Sequence, residues 1–206
     1  MLYANDFNTW LPIWDDAPSH PRNVIGQLNY TYYIIMSGIP DVRVPQSFTN
    51  SITGAGGSYQ NMGYLYAGRY LGTGESLFCP AQVGPNNAFS ATFYSPLLTT
   101  DASGYVRSSY SYNPRLIDPG NNNLRRFERT PQFEPQKLLA VDYFDSTPAG
   151  FAHLRERGWN LLLTDGSVKF STSDTAYRII TAAAISDSGI PIQSIGPILD
   201  ALEIDR

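Results

Sequence analysis

The stretch Trp159–Phe170, WNLLLTDGSVKF, sets two short apolar runs on either side of Asp165-Gly166. Asp-Gly between alternating runs is the strongest local hairpin signal, because a type I′ turn needs positive φ at both central residues. The expectation is therefore an antiparallel hairpin closed by a two-residue turn. Just upstream, Lys137–Phe144, KLLAVDYF, is an apolar run of strand length and is expected to be a buried strand.

Working outward, Ala88–Tyr94 and Tyr105–Tyr112 alternate in the strand manner, with a turn at Asp101–Gly104 between them. Glu75–Cys79 is expected to be a short strand ending at Pro80. Two segments have helical spacing: residues 22–37 and residues 60–71, the latter stopped by Gly72 and Gly74. Asp174 is placed to cap a helix over Thr175–Ile185, and Pro191–Leu202 is expected to form a last short helix. Residues 41–58, 113–136 and 145–158 are expected to be long loops. Strands follow one another with few connections long enough for parallel crossovers. The expected class is α+β with an antiparallel sheet, in one domain over residues 1–206.

Composition narrows the function. The chain has 206 residues, 42% apolar and only 16% charged, with a net charge of −4. Its densest basic group, Arg125, Arg126 and Arg129, encloses Glu128 and reads as a solvated loop, so no nucleic-acid partner is expected. No run is long and apolar enough to span a membrane. A single cysteine, Cys79, rules out an intramolecular disulfide, and its neighbours Leu77, Phe78 and Pro80 fit a buried structural thiol. The Gly54–Ser58 run lacks the ending of a phosphate loop and fits a linker.

The carboxylates are more informative. Asp142 interrupts the apolar run KLLAVDYF, and a buried acid there must be paired. An ion pair with Arg155 or Arg157 is the first reading; a calcium site using Asp142 and Asp145 is the second. Asp165 and Gly166 are explained by the turn alone. His20 and His153 are the only histidines, and a zinc site or a catalytic triad would need one of them. A hydrolase reading would require Asp142, Asp145 and His153 to converge. A polysaccharide-binding reading would use Tyr30, Tyr32, Tyr33, Tyr64, Tyr66 and Tyr70 as an exposed aromatic surface.

Several segments, taken in order, resemble the pseudopilin-like family that carries a prepilin-type cleavage and methylation signal and a C-terminal H-X9-DG motif. They are Leu2–Asn8 with Trp10-Leu11-Pro12, then Gly63–Leu71 with Leu77-Phe78-Cys79-Pro80. Ser108–Pro114, Leu139–Asp142 and Asn160–Val168 complete the set. One departure stands out. Nine residues separate Arg155 from Asp165-Gly166, whereas eleven separate His153 from it, so either Arg155 or a shifted His153 takes the place of the family histidine.

The resemblance implies a pilin-like fold, in which an N-terminal helical part packs on an antiparallel sheet with long loops and C-terminal helices. It implies a non-enzymatic structural role in a type II secretion-like pseudopilus or related fibre, with other pseudopilin-like subunits and the secretion machinery as partners. The membrane helix is expected upstream of Met1 and supplies the only membrane contact. The head is then expected in the periplasm, anchored at the inner membrane, or in an extracellular fibre. No cofactor is expected, apart from the calcium candidates Asp142 and Asp145, which the resemblance also favours because related pseudopilins hold calcium in a C-terminal loop.

Overall fold

A computed structural model describes residues 33–36, 58–59, 61–72, 74–82, 106–113, 115–117, 124–126, 136–144, 151–153, 155–183 and 192–205. The expectations for residues 1–32, for Ala88–Tyr94 and for Asp145 lie outside these residues. The principal sheet has four antiparallel strands: β4 (Tyr110–Tyr112), β7 (Leu138–Asp142), β8 (Trp159–Leu163) and β9 (Val168–Ser171), in the order β4-β7-β8-β9. A three-stranded sheet joins β1 (Tyr33–Met36), β2 (Ser58–Tyr59) and β3 (Val106–Arg107), and a hairpin joins β5 (Arg115–Ile117) to β6 (Leu124–Arg126). The helices are α1 (Gly63–Ala67), α2 (Asp174–Ala183) and α3 (Ile192–Ile204). The class is α+β with an antiparallel sheet, as the strand-rich middle and helical end of the sequence imply.

The opening hairpin forms, with a different turn. Leu163 accepts from Gly166 N–H at 2.9 Å and donates its own N–H to Ser167 at 2.9 Å. Gly166 has φ +85°, while Asp165 is not among the residues with positive φ. This is a type I turn over Leu163–Gly166 followed by a glycine bulge, the three-residue alternative to the type I′ turn. Asp165 adds its own brace: its Oδ1 accepts from Ser167 N–H at 2.9 Å and from Ser167 Oγ at 2.6 Å.

One irregularity decides what each face of the sheet carries. In β8 the core residues Trp159, Leu161 and Leu163 alternate with the half-buried Asn160 and Leu162. Their partners in β7 do not keep the same period: Leu138 faces Leu163, whereas Val141 faces Leu161, with a register shift between Leu138 and Ala140. The extra residue is a β-bulge. It lets Leu138 and Val141, three apart, both enter the core formed with Ala176, Ile180, Ile198, Leu199 and Leu202 of α2 and α3. It also turns Asp142 to the opposite face; strict alternation from Leu138 would put that acid into the apolar core. The helices hold the bulge in place, since Glu203 Oε1 accepts from Leu138 N–H at 3.0 Å and its other oxygen lies 3.6 Å from Lys137 Nζ.

Several expected elements change for local reasons. Tyr33–Met36 is a strand, not the end of a helix: its β-branched and aromatic residues pair with Tyr59 and Val106. The helix expected over 60–71 is only Gly63–Ala67, because Arg69 at φ +61° closes it and Leu65 accepts from both Tyr70 and Leu71 N–H. Gly74–Leu77 forms a 3₁₀ turn where a strand was expected. The expected loop 113–136 contains the β5–β6 hairpin, so Arg125 and Arg126 are strand residues in register with Leu116 and Arg115. The cap of α2 is Ser173 rather than Asp174: Ser173 Oγ accepts from Ala176 N–H at 3.0 Å and donates to Asp205 Oδ2 at 2.6 Å. That hydroxyl joins the start of α2 to the end of α3.

The bulge geometry makes Gly166 selective. Gly166→Val forces a β-branched residue into the left-handed region and is expected to cost about 1–2 kcal/mol. Gly166→Asn, which tolerates that region, is expected to cost clearly less. Urea unfolding of the two variants against the parent checks the order.

Candidate functional site

The face of the sheet opposite the helices carries one continuous row. Tyr110 is in register with Asp142, Asn160 is in register with Phe170, and Asn160 bonds Asp142 directly. The row Tyr110, Asp142, Asn160, Phe170 therefore crosses all four strands. Two further side chains are delivered over it by loops: Cys79 from the turn after the 3₁₀ segment, and His153 from the loop before β8.

Asp142 is the centre. It is 1% exposed, and its Oδ2 accepts from Asn160 backbone N–H at 2.6 Å and from Asn160 Nδ2 at 2.9 Å. His153 Nε2 lies 3.4 Å from the same oxygen. It also lies 2.9 Å from Asn160 Nδ2 and 3.9 Å from Cys79 Sγ. Oδ1 of Asp142 is buried and has no hydrogen-bond partner among the described residues. Phe170 covers one side, its ring meeting the His153 ring edge-to-face at 5.7 Å. Gly158 makes that cover fit, since a Cβ there would collide with the Phe170 ring and with Ser171 O.

Burial governs the electrostatics. It pushes the Asp142 carboxyl above its ordinary value, against the lowering effect of the Asn160 backbone bond and of His153. Burial also raises the Cys79 thiol, against bonds from the Ala81 and Gln82 backbone, while the nearby Asp142 adds to the rise. Tyr110 is pushed up to about 12, first by burial and then by the charges of Cys79 and Asp142.

The arrangement answers several expectations. Arg155 and Arg157 are exposed, and the Arg157 guanidinium sits 5.1 Å over the Tyr177 ring. The partners of Asp142 are Asn160 and His153, in place of the expected arginine. The reason is the bulge: Asp142 faces the sheet surface, where the neighbouring strand offers Asn160. His153, with eleven residues before Asp165-Gly166, is therefore the histidine at the site, and Arg155 is outside it. Cys79 is buried as expected, but a histidine 74 residues away in sequence stands beside it. Asn160 and Tyr110 were not singled out from sequence. The signal available was parity, because each sits opposite a residue of the row once the register is known. Tyr64 is fully buried and belongs to the core, and Tyr66 and Tyr70 are half-buried.

The arrangement departs from a nucleophile–histidine–acid triad. In such a site the orienting acid holds Nδ1 while Nε2 faces the nucleophile. Here Asp142, Asn160 and Cys79 all approach the same Nε2. The thiol is moreover raised, where activation would lower it.

No protein-family model, curated protein or solved structure matches the chain.

Removing a donor of Asp142 should be costly. Asn160→Ala removes the Nδ2 donor from a buried carboxylate while keeping the backbone N–H bond, and is expected to destabilise the fold by about 1–3 kcal/mol. Arg155→Ala, on the exposed loop, is expected to stay within about 0.5 kcal/mol of the parent. Denaturant unfolding of both variants measures the contrast.

Proposed function

We propose that this chain is the globular head of a membrane-anchored, pseudopilin-like structural subunit of a type II secretion-like pseudopilus or related fibre. The observation that carries this reading is the meeting of the segments on which the resemblance rests. Ser109 N–H and Ser108 Oγ both donate to Leu77 O, at 3.0 and 2.8 Å. Tyr143 N–H donates to Ser109 O at 2.7 Å, and Asn113 N–H to Leu139 O at 2.6 Å. Asn113 Nδ2 donates to Leu138 O at 2.9 Å. The Leu-Phe-Cys-Pro turn, the Ser-Tyr-Asn strand, the Leu-Ala-Val-Asp strand and the Asp-Gly hairpin are thus direct neighbours, and His153 closes the set. Pieces scattered over about 90 residues of sequence form one bonded unit, as parts of a single family motif should.

The reading is architectural and non-enzymatic. The head supplies lateral contacts to other subunits and to the secretion machinery, and an upstream helix supplies assembly and the membrane anchor, with the head in the periplasm or in a fibre outside the cell. No helix among the described residues is long and apolar enough to cross a membrane. The pilin-like arrangement of an N-terminal helix on the sheet belongs to the same proposal.

Two experiments bear on it. The coding sequence upstream of Met1 is expected to encode a short basic leader, a prepilin cleavage site and about 20 apolar residues, the length that spans a bilayer. The head produced alone is expected to be non-filamentous in sedimentation and electron microscopy, whereas the helix-bearing protein enters fibres with its partner subunits. Filaments built by the head alone would sink this division of labour.

A further inference from the structure

We propose that Cys79, Asp142 and His153 form a binding site for a zinc-class transition-metal ion, a site independent of the pseudopilin-like reading. Three electron-rich atoms from distant parts of the chain converge on one point: Cys79 Sγ, an Asp142 carboxylate oxygen and a His153 ring nitrogen all lie within 4.8 Å of one another. The measured edges are 3.4 Å from Nε2 to Oδ2 and 3.9 Å from Nε2 to Sγ. Metal bonds of roughly 2.0–2.3 Å in a tetrahedron place ligand atoms roughly 3.3–3.8 Å apart. The two edges at His153 thus stand close to ligand separation already, and the third lies within 4.8 Å.

Hydrogen bonding alone leaves the cluster poorly satisfied. Asn160 Nδ2 lies 2.9 Å from both Oδ2 and Nε2, and in the tautomer with Nε2 unprotonated these two acceptors stand 3.4 Å apart and share one amide. The second oxygen of Asp142 is buried without a hydrogen-bond partner among the described residues, although the residue is 1% exposed. An unsatisfied buried carboxylate oxygen is costly, and a cation held at that carboxylate would offset part of the cost of burying its charge. The ion would take the Nε2 lone pair. Asn160 would then release its contact to Nε2 and keep its two bonds to Asp142, holding the carboxylate in orientation as an outer partner does in metal sites.

The donor set chooses the metal. One sulfur, one nitrogen and one oxygen suit zinc and its neighbours; calcium takes six to eight oxygens. Three protein donors leave one tetrahedral position, and the His153 side chain, 24% exposed, gives water and the ion a way in. Binding replaces the thiol proton: the Cys79 S–H bond breaks, the sulfur binds the ion, and the proton passes to solvent.

Cobalt(II) tests this directly, because its thiolate bond has a charge-transfer absorption that carboxylate and imidazole ligands lack. The full 206-residue chain, stripped with chelator, is titrated with cobalt and then with zinc. A sulfur-to-cobalt band saturating at one equivalent, bleached by zinc and unmoved by millimolar calcium, is the expected result. Cys79→Ser should abolish the band. His153→Gln and Asp142→Asn should each weaken zinc binding at least tenfold, with Arg155→Ala unchanged. Far-UV circular dichroism verifies that the variants fold. Absence of the band in the parent protein overturns the proposal even if every variant fails to fold. Zinc affinity unaffected by His153→Gln also overturns it, since the ion would then sit elsewhere, as at His20.

Discussion

Everything described depends on where one carboxylate goes. Asp142 lies in an inner strand of a sheet whose other face is a continuous apolar core, and period-2 alternation from Leu138 would drive it into that core. A buried, unpaired carboxylate costs several kcal/mol or is forced to keep its proton. The single extra residue between Leu138 and Ala140 solves this by changing the phase of the strand once. Leu138 and Val141 stay in the core, and Asp142 joins Tyr110, Asn160 and Phe170 on the other face. The bulge is itself held by Glu203 from α3, so the helices that the apolar face recruits also fix the phase of the polar one.

The two faces therefore have different physics. On the helix side, Trp159, Leu161 and Leu163 meet Ile180, Ile198 and Leu202, and area removed from water provides the stabilisation. On the other side, order comes from directional bonds around Asp142, and the aromatic cover of Phe170 limits solvent. Between them run the links that make the second face a unit. Ser108 and Ser109 tie the cysteine-bearing turn to β4, and Asn113 ties β4 to β7. Such bonds are short-range and exacting, and they are laid over a sheet already fixed by packing.

How much of this could be read beforehand varies with the kind of interaction. The hairpin over Trp159–Phe170, the buried strand at Leu138 and the two C-terminal helices follow from local pattern, and they form. What the sequence hid was long-range. A strand at Tyr33–Met36 needs partners at Ser58–Tyr59 and Val106–Arg107, and helical spacing of apolar residues cannot reveal them. The β5–β6 hairpin, with three residues on each side, is too short for an alternating pattern to show. Asp142 was recognisable as an acid that must be paired, yet the basic loop that follows it pointed to Arg155 and Arg157. The true partner set depends on a register shift, which no local pattern encodes. Likewise Cys79 has no base near it in sequence, and its histidine arrives from 74 residues away.

The loop before β8 has a narrow neck. His153 and Gly158 form a β-bridge, with Gly158 N–H directed at His153 O at 3.5 Å, while Arg155, Glu156 and Arg157 are exposed beyond it. The neck, held below by the Phe170 ring, fixes where the imidazole stands; the arc outside it only has to close. Closing a slightly longer or shorter surface arc changes the entropy little. The number of residues between the histidine and the Asp165-Gly166 turn is thus a free variable, and length changes in that arc are silent at the site.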